Sequence, residues 1–159
     1  AIRGVALMRI LCMDYGERRL GFALSDEAQI LATPLKVVTI ESESQAFGAA
    51  LKVLAETGAG RMVLGLPLNM NGTRGPQAEK VAAFCDRLRK ERGLDVVLWD
   101  ERLSSREAER VLLAANSSRA RRRQVLDKLS AQVVLQSYLD SLGFAAGASI
   151  GEDADHGPL

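Results

Sequence analysis

"MRILCMDYGERRLGFALSD", residues 8–26, decides the architecture. "MRILCMDYG" (8–16) reads as a strand ending in a turn at Gly16, and "RLGFALSD" (19–26) follows closely, as the return strand of a hairpin. "LATPLKVVTI" (31–40) reads as a third strand. Pro34 cannot donate to a ladder, so it places the start of that strand at an edge or a bulge.

Downstream the period changes. Residues 44–57 carry Phe47, Ala50, Leu51 and Leu54 at helical spacing, and Gly58 and Gly60 end the run. "RMVLGLP" (61–67) is apolar on both faces, as in a buried parallel strand. Residues 68–75 form a loop, with Gly72 and Gly75 marking it as flexible. Residues 76–92 predict a helix with Pro76 near its start and Val81, Phe84 and Leu88 facing inward. "DVVLWDE" (95–101) is another buried strand. Ser104 and Glu107 make a capping box for a helix bearing Ala108, Val111, Leu112 and Ala115. "NSSRARRR" (116–123) breaks that pattern, and a last helix runs from about 124 to 142. The order β-β-β-α-β-α-β-α-α is a three-strand meander followed by β-α-β-α crossovers. It predicts an α/β fold: a mixed five-stranded sheet with helices on both faces.

The 159 residues suit one domain, placed at 8–142. The hydrophobic fraction of 47% with only 4% aromatic residues fits an Ala/Leu/Val-packed core. Residues 1–7 precede Met8, which reads as a natural start, so they read as an added or upstream-start extension. Residues 143–159 are small, acidic and aperiodic, the composition of a disordered tail. That tail holds three of the 20 acids and neither Lys nor Arg, so the body is about +4 against +1 for the whole chain. This balance permits nucleic acid as a partner without demanding it.

Cys12 and Cys85 lie in apolar patterns without a C-x-x-C, as buried free thiols of a reducing compartment do. The one histidine, His156, lies in the tail, which argues against histidine catalysis and against zinc sites built on His or Cys. No apolar run reaches the roughly 18 residues of a membrane span and no signal-peptide plan is visible. The expectation is a cytoplasmic protein with no membrane partner.

Strand alternation sorts the acids. Ile10, Cys12 and Asp14 share a face, so Asp14 ends a buried face at the C-terminal end of its strand. In "VVLWDE" (96–101), Val97, Trp99 and Glu101 share one face, and Val96, Leu98 and Asp100 the other. Only one of the two acids can point to the side of Asp14. Asp127 heads a helical stripe of Ala131, Val134 and Tyr138, so it faces protein rather than water. Each acid has a structural explanation: a turn before Gly16, a strand end paired with Arg102, a helix dipole. Three acids that each end or lead an apolar pattern also suit a hard oxygen site for Mg²⁺ or Mn²⁺. Two such ions would activate water and stabilise the leaving oxygen of a phosphodiester.

Four arginines lie within five residues, Arg119, Arg121, Arg122 and Arg123. A solvated helix entry would explain them, but they repel one another unless an anion such as a phosphate backbone compensates. Arg18 and Arg19 follow Asp14 and either grip phosphate or shield carboxylates. No G-x-x-x-x-G-K-[ST] and no G-x-G-x-x-G is present, so neither phosphate-binding glycine motif applies.

"MDYGERRLGFALSD", "GLPLNMNG", "WDERLSSREAE" and "RRRQVLDKLSAQVVLQSYLD", in this order and spacing, resemble the YqgF/RuvX family over about residues 8–142. That family is described both as a Holliday junction resolvase and as a pre-16S rRNA nuclease. The resemblance implies an RNase H-like fold and a metal-dependent endonuclease using Mg²⁺ or Mn²⁺, with a two-metal site. It implies Asp14 on the central strand, Glu101 on a neighbouring strand and Asp127 on the closing helix as catalytic and metal-binding residues. Of the adjacent pair it favours Glu101 as ligand, with Asp100 as its supporting neighbour. Ser130 stands where the family pattern has a small residue, and Ser104-Ser105 where it has two threonines. Arg18, Arg19, Arg102 and Arg119 with Arg121, Arg122 and Arg123 are the expected contacts to nucleic acid. The expected substrate is structured RNA at the ends of pre-16S rRNA in ribosome biogenesis; the alternative is branched DNA, a four-way junction in recombination. Either a monomer or a homodimer fits. A non-catalytic nucleic-acid-binding factor and an ATP-binding relative of the actin-like type remain as rival readings.

Overall fold

A computed structural model describes residues 8–104 and 129–143. Within them are β1 (Ile10–Tyr15), β2 (Arg19–Ser25), β3 (Ala32–Thr39), α1 (Glu43–Thr57), β4 (Arg61–Leu66), α2 (Pro76–Arg92), β5 (Val96–Asp100) and a short 3-10 turn, Glu101–Leu103. A further helix, α3, is described over residues 129–143. The strands form one five-stranded sheet in the order β3-β2-β1-β4-β5. The meander pairs are antiparallel, whereas β4 pairs parallel with both β1 and β5, which is the mixed sheet that the element order implies.

Local chemistry explains the joins. The Gly16 N–H donates to the Arg19 carbonyl at 2.9 Å. A Cβ at Gly16 would lie 2.9 Å from that same oxygen, so a side chain would disturb the hairpin. β3 is an edge strand, and its register slips where Phe22 faces Lys36 and Ala23 faces Pro34. Pro34 thus sits at an edge and at a bulge, where its missing N–H costs nothing. Ser42 caps α1 by accepting from the Gln45 N–H, and Gly58 ends the helix in the left-handed region.

The two sheet faces bury separate cores. Leu11, Met13, Leu20, Phe22, Met62 and Leu64 face α1 and α2. Ile10, Cys12, Ala23 and Val63 face Ala131, Val134, Leu135, Tyr138 and Leu139 of α3. The α1 stripe is turned slightly from the expected one: Ala46, Phe47, Ala50 and Val53 are buried, while Leu51 and Leu54 pack at its rim. The stripe expected to follow Asp127 is buried as the spacing requires. α3 also spans the sheet with polar ties. Gln132 and Gln136 bond the Ala32 backbone at 3.1 and 2.9 Å, and the Trp99 indole N–H donates to Ser137 Oγ at 3.0 Å.

The segment after β4 differs from its expectation as a flexible loop. The Asn69 N–H donates to the Thr73 carbonyl at 2.9 Å, the Gly72 N–H to the Asn69 carbonyl at 2.8 Å, and Asn69 Nδ2 to Thr73 Oγ1 at 2.9 Å. These bonds satisfy backbone and side-chain groups that the loop would otherwise leave to water. Among the described residues no helix is long and apolar enough to cross a membrane.

Candidate active site at the C-terminal edge of the sheet

Asp14 lies on β1, the middle strand, one residue before its end. It is half-buried and on the face of Ile10 and Cys12, toward α3. Its β2 partner is Gly21. On the other side, β1 and β4 pair up to Met13 with Leu64, so the next residue along β4 is Gly65. Asp14 on β1 is therefore flanked by two glycines, Gly21 and Gly65, both buried.

β5 ends at Asp100, so Glu101 opens the 3-10 turn and does not close the strand as expected. Asp100 causes the turn: its Oδ1 accepts from the Arg102 N–H at 2.9 Å. Glu101 still falls on the side of Val97 and Trp99, which pack on the α3 core. Its carboxylate reaches back over β4. A Cβ built on Gly65 would stand 2.5 Å from Glu101 Oε2 and 3.0 Å from its Cγ. Asp14 and Glu101 thus share one face of the sheet, with Gly65 on the strand between them. Both charges act on Cys12 beneath them: burial first, then Asp14 and Glu101, push this thiol well above its ordinary value. Cys12 is wholly buried, so a protonated, uncharged thiol lies under the two acids.

Asp100 is on the opposite side and has another task. The Arg102 guanidinium donates to both its oxygens, from Nε at 3.1 Å to each and from Nη2 at 2.8 Å to Oδ2, and Nη1 donates to the Met70 carbonyl at 3.1 Å. Those bonds to Arg102 hold the Asp100 carboxyl below the usual carboxylate range. Arg102, expected to touch nucleic acid, here ties the β4–α2 loop to the end of β5. Ser104 donates back to the Glu101 carbonyl and so secures the same turn. Its capping partner Glu107 lies outside the described residues.

A cleft of about 270 Å³ opens beside Glu101, lined by Pro67, Leu68, Arg102 and Ser104 with Ser130 and Val134 of α3 opposite. Arg18 and Arg19 separate. Alternation along β2 sets Arg19 on the Asp14 face, while Arg18 lines a different cleft with Tyr15, Lys80 and the start of α1. Asp127, Arg119, Arg121, Arg122 and Arg123 lie outside the described residues. Among the described residues no group of three metal-capable side chains converges.

Two residues escaped the sequence reading. Gly65 gives Glu101 its place, and the signal for it was a glycine inside a buried strand, which marks a close approach. Asp14's other neighbour, Gly21, shows only once the hairpin register is known.

Comparison with known proteins bears on the family and the fold. A relative from Symbiobacterium thermophilum named "Putative pre-16S rRNA nuclease" is 50% identical over 134 residues, covering 84% of this chain and 93% of its own length. A Geobacillus kaustophilus protein of the same name is 48% identical over 136 residues, covering 84% and 99%. In fold the chain is similar to Thermus thermophilus RuvC, solved with a Holliday junction substrate, at a TM-score of 0.55 and 15% identity, covering 84% of this chain and 96% of that one. The fowlpox virus Holliday junction resolvase gives 0.51 and 13%, covering 84% and 99%. The expected RNase H-like, resolvase-type fold is what these similarities show. The names of the close relatives place the activity among nucleases, hydrolases of nucleic-acid phosphodiester bonds. The family described as "RuvX: Holliday junction resolvase" matches residues 8–141, and this chain belongs to it.

Proposed function

We propose that this chain is a metal-dependent endonuclease for structured RNA, acting on precursor 16S rRNA, with Asp14, Glu101 and Asp127 as its acidic set. The observation that carries the proposal is that Asp14 and Glu101 share one face of the sheet, the Glu101 carboxylate reaching back over Gly65 toward β1. Carboxylate oxygens are hard donors, and two acids on one sheet face fit Mg²⁺ or Mn²⁺. Such an ion, when bound, supplies Lewis-acid stabilisation of the charge on the phosphoryl oxygens.

The residues divide the remaining work. Asp14 stands on the central strand, paired with Gly21 of β2, one residue past the last β1–β4 pair, Met13 with Leu64. Glu101 stands on a turn held by Asp100, Arg102 and Ser104. Asp127 precedes Ser130 by three residues and Ala131 by four, and Ser130 lines the Glu101 cleft while Ala131 is buried. The cleft is smaller than the roughly 300–1,000 Å³ of pockets that enclose small ligands, which suits an open edge crossed by a polymer backbone. Arg19 would add positive charge on the Asp14 face, and Arg119, Arg121, Arg122 and Arg123 would neutralise phosphates.

The RNA preference rests on the names of relatives at 48–50% identity. A four-way DNA junction is the second reading, favoured by the family's own description. A symmetric junction needs two sites and hence a dimer, whereas one cut in RNA needs a single site, which a monomer supplies. The deciding experiment offers labelled pre-16S rRNA fragments and a labelled four-way junction to the same protein with Mn²⁺ or Mg²⁺. Faster cleavage of RNA supports the proposal. Preferred cleavage of the junction replaces it with the second reading, and binding without cleavage of either makes the protein a binding factor.

A further inference from the structure

We infer that Gly65 is a positioning residue of the acidic site: its missing side chain is the seat of the Glu101 carboxylate. This rests on the metal-site reading above and says how the site is assembled. β5 is not a neighbour of β1, because β4 lies between them. Adjacent strands lie about 4.8 Å apart, so an acid held over β5 would be some two strand spacings from Asp14. Glu101 shortens that distance by reaching back over β4. Its Oε2 and Cγ stand where a side chain at 65 would begin, at 2.5 and 3.0 Å from a Cβ there.

The backbone does not require the glycine. Among the described residues the glycines with positive φ are Gly58, Gly72 and Gly93, and Gly65 is not among them. It lies within a regular strand, paired with Trp99. Only space excludes a side chain, and Glu101 takes that space. Two consequences follow. A methyl at 65 displaces the carboxylate, and an acid placed at 65 can stand in for Glu101, since its carboxylate starts from the same place.

The test uses the full chain and Mn²⁺ alone, read by paramagnetic quenching of Trp99, the only tryptophan. Glu101→Ala and Gly65→Ala should each weaken Mn²⁺ binding by about tenfold or more. Gly65→Asp combined with Glu101→Ala should recover most of the loss seen in Glu101→Ala. A second measurement needs no metal: Gly65→Ala should change the unfolding temperature more favourably in the Glu101→Ala background than in the parent, because the collision is then gone and the alanine only stiffens the unfolded chain. Wild-type Mn²⁺ affinity in Gly65→Ala, or equal thermal effects of Gly65→Ala in both backgrounds, overturns the inference while leaving the metal site standing. A parent protein that binds no Mn²⁺, or a Glu101→Ala variant that binds it as well as the parent, overturns the metal site and the inference together.

Discussion

The Asp100 carboxylate and the Arg102 guanidinium grip each other on either side of Glu101, with Arg102 Nη2 2.8 Å from Asp100 Oδ2. The residue between them is thereby fixed in a turn that neither strand geometry nor packing alone would impose. The fork also reaches the Met70 carbonyl. Arg102→Lys keeps the charge but cannot make these bonds together. It should weaken Mn²⁺ binding about tenfold and speed proteolysis within residues 67–75, with the fold intact by circular dichroism. Wild-type affinity and resistance would show that the grip does not set Glu101.

Ser137 couples α3 to the same region. It accepts from the Trp99 indole at 3.0 Å and donates to the Leu103 carbonyl at 3.2 Å. Trp99 also meets the Tyr138 ring edge-on at 5.3 Å. Ser137→Ala removes both bonds and should cost about 1–2 kcal/mol in stability. Urea unfolding followed by Trp99 fluorescence measures it, and an unchanged midpoint would contradict the coupling.

Much of this was legible from periodicity. Alternation in "RILCMD" set Asp14 on the face of Ile10 and Cys12, and in "VVLWDE" it set Asp100 and Glu101 on opposite faces, because side chains in a strand repeat every two residues; that Glu101 is the one on the Asp14 side came from the family resemblance and the sheet register. Pro34 marked an edge and a bulge because it cannot donate. What was not legible depends on register between distant strands. Gly65 matters because of what stands over it from β5, and Arg102 because of where Met70 lies. The loop after β4 read as flexible from its glycines, yet its Asn and Thr side chains bond to one another and to the backbone within it. Arg18 and Arg19 are adjacent in sequence, yet a turn and a strand start send them to different sides.

Acid should reveal the β2–β3 turn. Asp26 Oδ1 accepts from the Ile30 N–H at 2.8 Å and the Leu31 N–H at 3.2 Å, and these bonds hold its carboxyl below the usual range. A lowered folded value adds stability above the unfolded value of about 3.9, and that stability is lost as pH falls through the folded value. Asp26→Asn keeps an acceptor without the proton linkage. Between about pH 4.5 and 3 the parent's melting temperature should therefore fall more steeply than the variant's. Parallel curves would contradict this.

The arginine segment should act through charge. Arg121→Ala with Arg122→Ala should weaken RNA binding and reduce the slope of log affinity against log salt by about 0.7–0.9 for each phosphate no longer neutralised. Fluorescence anisotropy at several salt concentrations measures both. Weaker binding with an unchanged slope would assign these residues a structural task instead.

The central claim is that the acids on one face of the sheet cut nucleic acid with a divalent ion. The most direct measurement compares the parent and Asp14→Asn on labelled pre-16S rRNA fragments, with Mn²⁺ and with EDTA. The predicted result is cleavage by the parent that EDTA abolishes, and cleavage by Asp14→Asn no greater than in EDTA although the variant is folded and binds RNA. Equal cleavage by the variant would remove Asp14, and the site built around it, from the chemistry.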